Sequence, residues 1–170
     1  YEAMEQLSPE TAKRLIVDAD GVITAWSTPR LTKDILDAAP NLKIIAYAAG
    51  SVKGVVSEEV WNRNIIVTSA AAATAISVAE YTLGLMINAA SKVYHIVNAT
   101  TRKGVWDDDE IGGYKSQIRG MHDLVVGIVG AGFVGRCLLK LLRHFSVEVL
   151  LSDPFVSAEA AVDMGARKVE

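Results

Sequence analysis

LVVGIVGAGFVGR, residues 124–136, is the stretch from which the rest of the chain can be read. The run LVVGIV has the length and continuous apolarity of a strand. It leads directly into Gly130-Ala-Gly132-Phe-Val-Gly135, and a helical apolar pattern follows over 133–145. Strand, G-x-G-x-x-G turn and helix in that order open a dinucleotide-binding β-α-β unit. Gly130 permits the tight turn, Gly132 removes a side chain where a diphosphate would approach, and Gly135 lets helix and sheet pack closely. Free N–H groups and the dipole at the helix start favour the phosphates. A second strand is expected over 147–152, and Asp153 stands at its end. That carboxylate would accept hydrogen bonds from ribose hydroxyls and repel a 2′-phosphate, which favours NAD over NADP. Pro154 fixes the chain as it turns away. The candidate cofactor set is therefore Gly130, Gly132, Phe133, Val134, Gly135, Asp153 and Pro154. Arg136 is polar in an apolar helix, beside the phosphates or in solvent.

Working outward, short apolar runs alternate with helical patterns, the signature of an α/β protein. Upstream, Ser8-Pro9 starts a helix over 10–17, and a strand follows over 21–25. A helix over 33–38 has Thr32 as its expected cap. The strand over 42–47, LKIIAY, is too continuously apolar to be an edge. A glycine-containing loop over 48–54 precedes a helix over 57–61 and a strand over 65–68. One long helix is expected over 77–98, with an apolar surface wide enough to imply cover by another domain or subunit. The polar sequence over 100–117 reads as loop, including the acidic run Asp107-Asp-Asp-Glu110. Downstream, a helix over 158–164 stops at Gly165, and a last strand begins at Arg167. Two strands and the stub of a third are few for an open sheet, so the chain is expected to be part of a longer protein.

Composition removes several function classes. With 17 basic and 20 acidic side chains in 170 residues, there is no basic face for nucleic acid. The single cysteine, Cys137, excludes an internal disulfide or a thiolate metal cluster and is expected to be a packed thiol. No leader pattern and no apolar run of roughly 20 residues is present, so no membrane association is expected and a cytoplasmic setting is the default. His95, His122 and His144 lack metal-ligand spacing, and Trp26, Trp61 and Trp106 are too dispersed to form a stacking platform, so no metal site is assigned. Asp18 and Asp20, in LIVDADGVIT (15–24), resemble the nucleophile strand of a Mg²⁺-dependent haloacid-dehalogenase-like phosphatase. The competing reading makes them helix-end and turn residues, with the strand starting at Gly21.

Taken together, four stretches resemble the D-isomer-specific 2-hydroxyacid dehydrogenase family, which includes D-3-phosphoglycerate dehydrogenases. They are VTSAAAATAISVAE (67–80), Gly104-Val-Trp106, VGIVGAGFVGR (126–136) and Ser152-Asp-Pro-Phe155. The resemblance covers the whole chain. It implies that 1–74 is the first portion of a flavodoxin-like substrate domain. It also implies that 75–170 begins a Rossmann NAD-binding domain, with helix 77–98 buried in a homodimer. In the substrate domain, the backbone N–H groups of Gly50, Ser51 and Val52 would receive the carboxylate of a small 2-keto or 2-hydroxy acid, and Lys53 would either attract a further acidic or phosphate group or point to solvent. Ala49 and Ser51 replace usual glycines, Lys53 a usual aspartate, and Ser69 and Thr74 usual asparagines. The family's catalytic Arg, Glu and His fall beyond the position matching Glu170, so no catalytic residue is assigned here. The implied activity is NAD-dependent interconversion of a D-2-hydroxy acid, 3-phosphoglycerate-like or otherwise, and a 2-keto acid. The alternative is a non-catalytic NAD(H)-sensing or corepressor module.

Overall fold

A computed structural model describes residues 7–104, 108–122 and 124–170. The chain divides into two compact units, Tyr1–Thr74 and Ala75–Glu170. Val105, Trp106 and Asp107, which belong to one of the quoted motifs and to the acidic run, lie outside the described residues.

In the first unit, helix α1 (Pro9–Ile16) starts where the Ser8 hydroxyl accepts the Thr11 N–H at 3.2 Å, with proline in its first turn. Strands β1 (Gly21–Thr24), β2 (Ile44–Tyr47) and β3 (Ile66–Ser69) pair in parallel in that order, so β2 is internal as its apolarity predicts. Parallel neighbours require crossovers, and short helices α2 (Lys33–Leu36) and α3 (Glu58–Asn62) supply them. Ala12 and Ile16 of α1, Ile35 and Leu36 of α2 and Val60 of α3 close over Ile45 as one apolar core. Ile23, Ile44 and Ile66 lie on the opposite face of the sheet and are exposed among the described residues. Thr32 occupies the N-cap position of α2, but its hydroxyl makes no cap bond.

Asp18 follows α1 in a left-handed turn, φ 62°, three residues before β1 begins. It is not at the carboxyl end of a strand, where an attacking carboxylate would have to stand. Asp20 pairs with Lys43 at 2.7 Å. The phosphatase reading falls on this geometry, and the turn reading stands.

The single helix expected over 77–98 is two helices. The first, α4, starts earlier and runs Ala71–Ala90, and α5 runs Val93–Lys103. Between them Lys92 adopts a left-handed conformation, φ 55°. The break has a tertiary cause: the Ala90 carbonyl accepts the Arg119 N–H at 2.9 Å instead of continuing the helical ladder. No glycine or proline marks the spot, so the apolar spacing runs on across it. The expected loop over 100–117 is also largely helical. Helix α5 continues to Lys103 and ends at Gly104, φ 65°, and α6 covers Asp108–Lys115. Two glycines argue against α6 locally. Burial of Ile111 and stacking of Tyr114 on His95, centroids 5.3 Å apart, outweigh them.

In the second unit, β4 (Val125–Val129), β5 (Glu148–Ser152) and β6 (Arg167–Val169) form a parallel sheet in that order, joined by α7 (Phe133–Leu142) and α8 (Ala158–Asp163). Leu138, Leu139 and Leu142 of α7 pack on Ile128, Val149 and Leu151, with Cys137 beside them as a packed thiol. Gly165, φ 81°, ends α8 as expected. Arg143, the C-cap residue of α7, donates to the Asp163 and Met164 carbonyls and so satisfies the end of α8.

Candidate functional site

The glycine turn joins the carboxyl end of β4 to α7. Gly130 has φ 91°, which an L side chain would strain. A Cβ on Gly135 would stand 2.2 Å from the Gly130 carbonyl oxygen, so that close approach of helix to turn excludes any side chain. Gly132 differs: a Cβ there would meet nothing within 4 Å, leaving open space in front of the turn. Among the described residues, the N–H groups of Gly132, Phe133 and Val134 find no acceptor. These free amides face outward at the positive end of the α7 dipole, the arrangement an anionic diphosphate needs.

Asp153 lies at the carboxyl end of β5, the strand paired with β4. The Gly130 N–H donates to the Ser152 carbonyl at 2.8 Å and ties the two strand ends together. The carboxylate of Asp153 then accepts the Ala131 N–H at 2.7 Å and the Phe155 N–H at 2.8 Å. These two bonds, Ala131 first, hold its carboxyl below the usual carboxylate range, and Arg136 and Lys168 add attraction against a partial desolvation. The group is therefore ionised and aimed at the turn. Pro154 is exposed beside it.

Three features of this site are not evident from the motif. Ala131 is the residue to which Asp153 binds, and it is buried. Phe155 and Val129 are 95% and 90% exposed at the strand ends that carry the turn and the carboxylate. Their apolarity is plain in the sequence, but only the fold shows that nothing in the described residues covers them. Arg136, left open between phosphate side and solvent, donates through Nε to the Ala131 carbonyl at 2.7 Å.

The second candidate is the loop over 48–54 at the carboxyl end of β2. The Ala70 N–H bridges the Tyr47 and Ala49 carbonyls at 3.1 and 3.0 Å, and Ala49 is buried. A short 3₁₀ turn, Val52–Gly54, follows within what the sequence suggests is plain loop. Among the described residues, the N–H groups of Gly50, Ser51 and Val52 find no acceptor, and Ser51 and Lys53 are exposed. The loop thus displays unpaired amides, as a carboxylate-binding nest does. His95, His122 and His144 do not converge, and among the described residues no group of three or more His, Cys, Asp or Glu could hold a metal.

Fold and turn define an α/β chain: a three-stranded parallel unit, then a second unit in which helices precede a parallel β-α-β-α-β run that carries the glycine turn. The family model for the D-isomer-specific 2-hydroxyacid dehydrogenase catalytic domain matches residues 1–170, and the chain belongs to that family. It is 31% identical over 164 residues to a D-3-phosphoglycerate dehydrogenase of Methanocaldococcus jannaschii, covering 96% of this chain and 30% of that protein. A putative 2-hydroxyacid dehydrogenase of Staphylococcus epidermidis is 31% identical over 173 residues, covering all of this chain and 52% of its own length. The chain thus spans about half, or less, of these relatives. Among solved structures, a Pyrococcus horikoshii protein superposes with a TM-score of 0.72 at 29% identity, over 96% of this chain and 49% of that one. A formate dehydrogenase of Staphylococcus aureus, in complex with NAD, shares the fold with a TM-score of 0.69 at 21% identity, over 95% and 47%. Among the described residues no helix is long and apolar enough to cross a membrane.

Proposed function

We propose that the intact protein is an NAD-dependent D-2-hydroxyacid dehydrogenase in which Ala75–Glu170 begins the NAD-binding domain and Tyr1–Thr74 contributes to the substrate domain. The observation that carries this reading is the Asp153 carboxylate bonded to the Ala131 N–H across a turn in which the N–H groups of Gly132, Phe133 and Val134 find no acceptor among the described residues. The residues fit the cofactor: Gly132 leaves space for the diphosphate, and the N–H groups of Gly132, Phe133 and Val134 would receive it. Asp153 would hold the adenosine ribose hydroxyls and reject a 2′-phosphate. Exposed Phe155 and Val129 offer apolar surface beside it. NAD(H) supplies the hydride exchanged with carbon 2 of the acid. In the other unit, the amides of Gly50, Ser51 and Val52 would orient the substrate carboxylate, and exposed Lys53 would favour an acid with a second anionic group, such as a phosphate. The proton that accompanies hydride transfer is assigned to no residue of this chain.

The exposed apolar residues Ile76, Tyr81 and Leu85 of α4 and Tyr94 and Val97 of α5 support a homodimer formed through these helices. A cytoplasmic setting completes the reading. The deciding experiment is a panel of 2-keto acids, with and without a phosphate, supplied to the intact protein with NADH. Oxidation of NADH with at least one acid is expected, with NADPH far poorer. NADH binding without turnover of any acid would replace the enzyme with the NAD(H)-sensing or corepressor module.

A further inference from the structure

Two successive peptide units make up the start of the glycine turn, and a different side chain holds each. The N–H of Ala131 is held by the Asp153 carboxylate. Its carbonyl accepts the Arg136 Nε–H at 2.7 Å. The chain has no cis peptide among the described residues. In a trans peptide the C=O and the following N–H lie in one plane and point in opposite directions. The bond from Arg136 to the Ala131 carbonyl therefore sets the direction of the Gly132 N–H, one of the free amides of the turn. Arg136 is itself steadied, because its Nη1 lies 3.4 Å from the Met164 Sδ at the end of α8. A guanidinium can serve both partners at once through its fixed fork of donors.

We infer that Arg136 is a positioning residue for the cofactor diphosphate: by holding the Ala131 carbonyl it aims the Gly132 N–H outward at the anion. The inference rests on the reading of 130–135 as the NAD site. It divides the labour at the turn, Asp153 serving the ribose and Arg136 the phosphates. Because Arg136 is exposed, its removal should disturb binding more than stability.

The test uses the intact protein with ADP and adenosine as probes in calorimetry. Arg136→Met is expected to weaken ADP about threefold to tenfold, the worth of one ordinary hydrogen bond, while adenosine binds as before. The Gly132 amide resonance should move in the ligand-free variant. The loss should persist at about 0.5 M salt, where long-range attraction by a surface charge is screened. Arg143→Met, at the C-cap of the same helix and also touching Met164, is expected to leave ADP binding unchanged. Loss confined to low salt, an unmoved Gly132 resonance, or an equal effect of Arg143→Met would overturn the positioning role. Wild-type protein that binds ADP and responds to Asp153→Ala, but is indifferent to Arg136→Met, would overturn this inference alone. Wild-type protein that binds neither ADP nor NAD would remove the cofactor reading and the inference together.

Discussion

The turn over 130–135 and the loop over 48–54 occupy equivalent places, each following a parallel strand at its carboxyl end and each presenting amides unpaired among the described residues. They are built in opposite ways. In the turn, the backbone itself demands glycine: Gly130 is left-handed, and a Cβ on Gly135 would collide with the Gly130 carbonyl. In the loop, Gly50 and Gly54 have no left-handed conformation, and a Cβ on either meets nothing within 4 Å. The loop is shaped instead by a distant donor, the Ala70 N–H shared between the Tyr47 and Ala49 carbonyls. A glycine motif is informative where local sterics enforce it. A glycine in a loop shaped from elsewhere is free to serve access to a ligand.

Four outcomes would break or sharpen that contrast. Gly135→Ala should have the largest effect, because backbone rather than a flexible side chain lies in the way. A loss on the order of 3 kcal/mol is expected in denaturant unfolding, and wild-type stability would mean that the close approach is not needed. Asp153→Ala should weaken NAD binding by about tenfold to a hundredfold in calorimetry, as loss of hydrogen bonds to a charged group does. Undiminished binding would detach the carboxylate from the cofactor. Gly50→Ala should change stability by no more than about 0.5 kcal/mol, while raising the KM for the keto acid by placing a methyl group before the free amides. A large stability loss would show that the loop, like the turn, needs its glycine.

The smallest effect concerns pH. The folded-state pKa of Asp153 lies below its unfolded value, so its ionisation contributes stability that is present above the unfolded value. That contribution is lost only as pH falls through the lower, folded value. NAD binding should accordingly be flat across the neutral range and decline only below the ordinary carboxylate range. A decline already between about pH 6 and 7 would point to histidine titration instead.

Legibility in the sequence followed the same division. Strand, turn, helix and acidic residue over 124–153 could be read because each depends on neighbours along the chain. The caps and stops read the same way: Ser8 binds the Thr11 N–H, and Gly165 is left-handed. Lys92 and α6 could not be read. The first is bent where Arg119 takes the Ala90 carbonyl, and the second is helical despite Gly112 and Gly113 because Ile111 is buried and Tyr114 finds His95. Asp18 shows the reverse failure, a local pattern with the right letters in the wrong element.

What the sequence determined by itself was the alternation of strands and helices, the two glycine-bearing loops and the aspartate that follows the second strand of the glycine turn. All of these rest on backbone sterics and on apolar periodicity, which act over a few residues. Tertiary structure alone decided that Asp153 reaches the Ala131 N–H, that Arg136 holds the adjoining carbonyl, and that α4 and α5 are separate. Those outcomes depend on hydrogen-bond partners supplied by another element, and no local pattern encodes which partner will arrive.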